Sequence, residues 1–194
     1  MPNERSNKSI IILIIAVLLV VVGFWAYQKF IAPEPEIIVE NKQVETFASD
    51  PLSATYIIEG KEITLVDGKS EIEIAPGSAS KIVTMNFGEP IYGDLDDDGI
   101  DDAALMLTQN SGGSGTFYYV AAAIKKEGGY KGTNAVLLGD RIAPQEIHFD
   151  GSVIVANYAD RADGESFAVQ PSIGKTKYLY VKDGYLQEAP ALLK

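Results

Sequence analysis

An uncharged stretch near the N-terminus divides this chain into parts that cannot share one environment. From Ile10 to Tyr27 the sequence holds no charged residue and consists almost entirely of aliphatic and aromatic side chains. A helix over this stretch can cross about 30 Å of hydrocarbon. Trp25 and Tyr27 fall at its far end, and such aromatic residues favour the membrane–water interface. The sequence therefore predicts one transmembrane anchor over residues 10–28.

The charges beside this anchor predict its orientation. Arg5 and Lys8 precede it, and basic residues favour the cytoplasmic side of a membrane. We expect a single-pass protein of the cell membrane, with residues 1–9 cytoplasmic and the C-terminal part extracytoplasmic. A cleaved signal peptide is the alternative, with an apolar region of about 7–15 residues and small residues at its cleavage site. Bulky Phe24 and Trp25 end a longer stretch here, which favours a retained anchor.

The rest of the chain has the size of one domain. Residues 29–50 predict a charged tether that begins with Pro33 and Pro35, and residues 51–194 predict a β-rich domain. The formal charge of the 194 residues is -11, which argues against a nucleic-acid partner because phosphates attract Lys and Arg. The chain has no cysteine, so its stability cannot come from a disulfide.

Short apolar stretches separated by turn residues predict that this domain is mostly β. Asp-Gly between two such stretches is a strong hairpin signal. Four turns of this general kind occur: Glu59-Gly60-Lys61, Asp67-Gly68, Asp150-Gly151 and Asp183-Gly184. We expect an antiparallel meander, which could curl toward a barrel or include helices in an α+β arrangement.

The nine residues from Asp94 to Asp102 concentrate negative charge on one turn. They include six carboxylates and no basic residue. A pair of like charges about 6 Å apart costs roughly 0.7 kcal/mol in water, and several pairs add up. A divalent cation would turn this repulsion into coordination. Oxygen ligands suit calcium, and no His or Cys stands nearby to suggest zinc.

The spacing within this stretch predicts the ligands. Alternate aspartates can converge on one side of a turn, and Gly99 allows the sharp bend that calcium loops need. The residue after that glycine would offer its backbone carbonyl. The predicted metal ligands are Asp94, Asp96, Asp98, Ile100 and Asp102. The alternative is an acidic, solvated turn without a metal.

The flanks of the loop favour a hairpin over an EF-hand. An EF-hand needs an acidic residue at the twelfth position, which is Leu105 here. Residues 81–87 and 103–108 are β-like, so we expect strand–loop–strand. The loop resembles the D-x-D-x-D-G-x-x-D hairpin of FG-GAP repeats in integrin-type propellers. That resemblance implies calcium binding by a hairpin; a propeller would need several such repeats, and the motif occurs once.

A second resemblance rests on the order of three motifs. These are G-D-L-D-D-D-G at 93–99 with D-A at 102–103, G-G-S-G-T-F at 112–117, and L-G-D-R at 138–141. In this order they resemble a group of bacterial exported, membrane-anchored domains of uncharacterised function, over residues 56–186. The resemblance implies a bacterial, extracytoplasmic location, and it implies no activity, substrate or catalytic residue.

The sequence predicts no catalytic residue. Ser114 lies among glycines, but a nucleophile elbow also needs glycine where Thr116 stands, and His148 is the single histidine. We expect a non-enzymatic module of the cell envelope, held to the membrane by its helix, with an envelope protein or a glycan as partner. The alternative is a cell-envelope hydrolase that acts on polysaccharide or peptidoglycan through carboxylates in an aromatic-lined cleft.

Overall fold

A computed structural model describes residues 4–30 and 47–190 of the chain. These residues form two compact units, one helix and one β domain. Helix α1 covers Glu4–Phe30 and therefore extends two residues past the expected end of the anchor. Its 27 residues are about 40 Å long. The segment Ile12–Lys29 is long and apolar enough to cross a membrane. Most of the predicted tether, residues 31–46, lies outside the described residues.

The β domain begins with a short 3-10 helix, Pro51–Ser53, and continues with thirteen strands among its described residues. The strands are β1 Thr55–Ile58, β2 Lys61–Thr64, β3 Lys69–Glu73, β4 Lys81–Asn86, β5 Ile91–Gly93, β6 Asp102–Asn110, β7 Phe117–Lys126, β8 Gly129–Gly132, β9 Val136–Asp140, β10 Ala143–Asp150, β11 Val153–Asp160, β12 Ile173–Lys182 and β13 Tyr185–Glu188. The named strands pair antiparallel throughout. The mostly β fold is thus confirmed.

The strands form three sheets. Strands β1 and β2 make a hairpin, and strands β10 to β13 make a four-stranded meander. The third sheet has seven strands, in the order β3-β4-β6-β7-β8, with β5 also paired to β6 and β9 also paired to β7. One sheet is curled into a half-barrel, which agrees with the expected curvature.

Strands β6 and β7 lie at the centre because both of their faces are buried. On one face, Met106 and Val120 pack in a cluster that includes Ile154 and Leu179 of the C-terminal sheet. On the other face, Leu105 and its neighbours pack against the β1–β2 hairpin. Strands covered on both sides have apolar residues at nearly every position, as in the sequences of β6 and β7.

Alanines bring these layers close together. Ala103 faces Ala123 and Ala104 faces Ala122 across the β6–β7 pair, and all four are fully buried. A small side chain at these positions leaves room for the large residues of the sheets above and below. The result is two apolar cores, one on each face of the β6–β7 pair, which forms the middle layer.

Three of the four predicted turns join paired strands, whereas Asp67-Gly68 turns between β2 and β3, which belong to different sheets. Glu59 and Gly60 join β1 to β2, and both have positive φ angles, 49° and 77°. Asp183 and Gly184 join β12 to β13 with φ angles of 53° and 78°. Two successive positive φ angles define the tight hairpin turn that matches the twist of paired strands.

The segment between β8 and β9 connects the layers through Asn134. Ile57 of β1 donates its N–H to the carbonyl of Thr133 and accepts the N–H of Ala135. Asn134 then bonds Leu186 of β13 twice: its Nδ2 donates to the carbonyl at 2.9 Å, and its Oδ1 accepts the N–H at 2.8 Å. The amide side chain therefore acts like one more residue of the C-terminal sheet.

Asn134→Ala should lower the free energy of unfolding by about 1–3 kcal/mol, because both polar groups of Leu186 lose their partner. Asn157→Ala is the matched control, since Asn157 makes an exposed bond to Thr176 and its loss should cost less than about 0.5 kcal/mol. Urea unfolding of the full chain in detergent micelles measures both. Equal losses for the two variants would contradict this role of Asn134.

Candidate calcium site

The acidic loop occupies residues 94–101, between β5 and β6. Its flanks differ from the expectation in one respect: the short strand β5 stands between β4 and the loop, and both β4 and β5 pair with β6. Strand β5 cannot be recognised in the sequence because it lies among Gly88, Pro90 and Gly93, and such residues normally end a strand. The strand–loop–strand arrangement itself is present, as a β5–β6 hairpin.

The start of the loop is fixed by close packing. A Cβ atom on Gly93 would lie 2.8 Å from Cγ of Phe149, a residue of β10. Two residues later, Leu95 is almost completely buried in the cluster beneath the C-terminal sheet. Leu95 is the only apolar residue among Asp94–Asp98, and its burial holds this part of the loop against the core.

Aspartate side chains shape the turn through the backbone. Asp94 accepts the N–H groups of Asp98 at 3.1 Å and Gly99 at 2.9 Å, one on each carboxylate oxygen. Asp98 accepts the N–H of Ile100 at 2.9 Å. Gly99 has a φ of 84°, which agrees with the bend predicted there. The loop is thus held by bonds that do not need a cation.

Asp102 ties the loop to the central strands. Its side chain is fully buried, and its two oxygens accept the N–H of Leu95 at 2.9 Å and of Lys125 at 2.7 Å. The pKa of this carboxyl is raised above its usual value. Burial is the largest cause, and the negative charges of Asp96 and Asp98 add to it, while the two N–H donors lower the pKa. Asp102 therefore joins the loop, the start of β6 and the end of β7 at one point.

Three of the predicted ligands converge. One carboxylate oxygen from each of Asp94, Asp96 and Asp102 lies within 4.8 Å of the others. Oxygens bound to one calcium ion at 2.3–2.6 Å are at most about 5 Å apart, so this spacing fits a shared ion. Oδ1 of Asp96 is buried and has no hydrogen-bond partner in the described part of the chain. An unpartnered anionic oxygen inside an acidic cluster is a site where a cation would be stabilised.

Asp98, a fourth predicted ligand, is not one of this group of three. Asp98 directs Oδ1 to the N–H of Ile100 and Oδ2 to the ammonium of Lys126, 3.2 Å away. The N–H of Ile100 lowers the pKa of Asp98 most, followed by Lys126. Ile100 has a half-exposed side chain, and the role of its carbonyl as a ligand stays a prediction.

Lys126 is the residue of this site that the sequence did not reveal. Its Nζ lies 2.5 Å from Oδ2 of Asp96 and 3.2 Å from Oδ2 of Asp98. The bond to Asp96 is the main cause that raises the pKa of Lys126. The stretch 94–102 contains no basic residue, but the β6–β7 pairing brings this one from 28 and 30 residues away. Nothing in the local spacing could have indicated it.

A cleft of about 740 Å³ lies beside the loop. It is bordered by Asp96, Asp97 and Lys126 on the loop side and by Tyr180 and Tyr185 of the C-terminal sheet. Asp183, in the β12–β13 turn, and Asn134 also line it. Asp102 does not line the cleft, so the fully buried carboxylate and the open space are separate features.

The other two motifs meet at a different place. Thr116 donates its N–H to Asp140 at 2.9 Å, and its carbonyl accepts the N–H of Arg141 at 2.7 Å. Arg141 pairs with Asp140 at 2.7 Å and lies 3.7 Å from the ring of Phe167. The Gly-rich loop and the L-G-D-R motif are thus parts of one hydrogen-bonded structural unit.

The two residues considered for nucleophilic chemistry lie in separate elements. Ser114 is exposed in the β6–β7 loop. His148 lies in β10, where its Nδ1 is 3.7 Å from Oε2 of Glu146, too far for a hydrogen bond. Neither residue lines the cleft beside the acidic loop.

Asp102→Ala should destabilise the metal-free protein by about 2–4 kcal/mol, because two buried N–H groups lose their acceptor. Asp101→Ala removes the same charge from an exposed neighbour and should cost less than about 0.5 kcal/mol. Urea unfolding with a chelator present compares the two. If Asp102→Ala were no more destabilising than Asp101→Ala, Asp102 would not hold the loop.

Comparison of the chain with models of protein families, with curated proteins and with solved structures finds no match. The resemblances to FG-GAP hairpins and to bacterial exported domains therefore stay predictions from the motifs alone.

Proposed function

We propose that this protein is a membrane-anchored, extracytoplasmic module that binds calcium at the β5–β6 loop and has a non-enzymatic role in the cell envelope. Calcium would stabilise the loop and fix the shape of the surface around it. A glycan or an envelope protein is the expected partner of that surface. The partner would meet the β domain beside the loop, where the cleft opens.

One observation about Asp96 carries the calcium part of this proposal. Its carboxylate converges with those of Asp94 and Asp102, and its Oδ1 is buried without a hydrogen-bond partner. Three carboxylates this close repel each other by about 0.9 kcal/mol per pair even in water. A divalent ion would remove that repulsion and would give the unpartnered oxygen a positively charged partner. Calcium suits the site because carboxylate oxygens are its preferred ligands and extracellular calcium fills even weak sites.

The membrane part rests on helix α1. The segment Ile12–Lys29 meets the length and composition of a membrane span. Arg5 and Lys8 before the apolar stretch favour a cytoplasmic N-terminus. In this orientation the β domain faces the side of the membrane where calcium is plentiful. The location and the calcium site are therefore consistent with each other.

A cell-envelope hydrolase is the second candidate. The cleft favours it, because carboxylates of Asp96, Asp97 and Asp183 line it together with two tyrosines. Catalysis by two carboxylates needs one free nucleophile or base beside one acid. Asp96 is already engaged by the ammonium of Lys126, 2.5 Å away, so it is not the free group that this chemistry needs. We therefore favour a binding role over a hydrolase activity.

Calcium should raise the melting temperature of the full chain in detergent micelles by about 5–10 °C at a hundredfold excess over Kd, where ligand binding adds about 2.7 kcal/mol. Asp96→Asn should weaken calcium binding at least tenfold, measured by calorimetry, because it removes a charged ligand from the group of three.

Asp97→Asn is the matched control for that experiment. The substitution removes one charge from the same loop, and Asn tolerates the φ of 58° that Asp97 has. Its Kd should stay within about threefold of the wild type. A wild-type melting temperature that is the same in millimolar calcium and in chelator would contradict the calcium site, leaving an acidic turn held by its own hydrogen bonds.

The absence of cysteine allows a clean test of topology. Glu62→Cys, on an exposed position of β2, should react with a membrane-impermeant maleimide in intact bacteria. Ser6→Cys, before the apolar stretch, should react only after the membrane is opened. Recovery of the Glu62→Cys protein in the soluble extracytoplasmic fraction would instead indicate a cleaved signal peptide. The reversed labelling pattern would contradict the proposed orientation.

A further inference from the structure

Two consecutive residues at the end of β7 contact the acidic cluster in different ways. Lys125 donates its backbone N–H to Asp102, while its side chain lies over the ring of Tyr130, 4.1 Å from the centroid. Lys126 directs its ammonium to Asp96 and Asp98. Successive side chains of a strand point to opposite faces, which explains why only one of the two lysines reaches the carboxylates.

The ammonium of Lys126 pairs with a carboxylate that calcium would also use. It binds Oδ2 of Asp96, and the other oxygen of the same carboxylate is the buried one without a partner. Asp96 is also one of the three converging carboxylates. A divalent ion bound to these carboxylates would carry its double charge close to an ammonium that already pairs with Asp96. Like charges at this range repel, so the two cations compete for one carboxylate.

The fold leaves the ammonium a place to move to. Lys126 lines the cleft of about 740 Å³ on its loop side, and its side chain is already 42% exposed. Asp97 and Asp183 line the same cleft and could receive the ammonium there. The displacement needs only rotations of a flexible side chain, because the backbone of β7 is held by its pairing with β6 and β8.

We infer that Lys126 is a built-in competitor of calcium: it neutralises Asp96 and Asp98 in the metal-free loop, and calcium displaces it into the cleft. The inference rests on the proposed calcium site and adds what sets the affinity of that site. Lys126 stabilises the metal-free loop and weakens calcium binding by the same contact. The site is then tuned to high calcium concentrations, and its filling exposes a cation in the neighbouring cleft.

Lys126→Met tests this inference by calorimetry on the full chain in detergent micelles, with calcium chloride as the titrant. The variant should bind calcium about three to ten times more tightly, because the competing ion pair is gone. Lys125→Met is the matched control, since it removes the same charge one residue away without touching a carboxylate. Its Kd should stay within about twofold of the wild type. Lys126→Arg, which keeps the charge, should bind no more tightly than the wild type.

Melting temperatures give a second readout that a merely structural lysine would not produce. In chelator, Lys126→Met should melt below Lys125→Met, because its carboxylates lack a counter-ion. In saturating calcium the difference should vanish. Equal affinities of the Lys126→Met and Lys125→Met proteins, with calcium still bound, would overturn the competition and leave the calcium site standing. Failure of the wild type and all three variants to bind calcium would overturn the calcium site itself.

Discussion

The burial of β6 and β7 on both faces is the constraint on which the rest of the β domain depends. A strand pair covered on two sides needs apolar residues at nearly every position, and small ones where the layers approach most closely. Ala103, Ala104, Ala122 and Ala123 meet that need at one end of the pair. The hairpin on one side and the C-terminal sheet on the other can then each bury a single apolar face, as partly solvated antiparallel sheets do.

The candidate site lies where this rigid pair ends. Asp102 opens β6, and Lys125 and Lys126 close β7, so the acidic loop is fastened to the most buried strands of the domain. In a metal site at this place, Asp102 would be held in a fixed position by the central strands. The carboxylates of Asp94 and Asp96 are partly exposed to solvent. Rigidity on one side and access to solvent on the other would suit an ion-binding site.

Much of the architecture could be predicted because its signals are local. Alternation, Asp-Gly turns and the carboxylate spacing all act over fewer than about ten residues, and the hairpins and the acidic loop follow from them. The helix follows from one continuous apolar stretch. Strand β5, Leu95 as a buried anchor, and Lys126 as a counter-ion could not be predicted in this way. Each depends on which strands become neighbours, and pairing partners such as β6 with β7 are decided by the burial of the whole domain. Asp98 shows the same limit: its role as a ligand stays a prediction, and the lysine that pairs with it comes from another strand.

The packing of Phe149 on Gly93 has a consequence for how such a loop can spread among proteins. The carboxylates belong to a stretch of nine residues, but a strand of the C-terminal sheet presses on its beginning, and a backbone N–H of Lys125 holds its last residue. An excised peptide would keep the charges and lose the groups that position them. The stretch therefore cannot be transferred by itself. Another fold could use it only if a neighbouring strand end and an aromatic side chain already lie beside a β-hairpin.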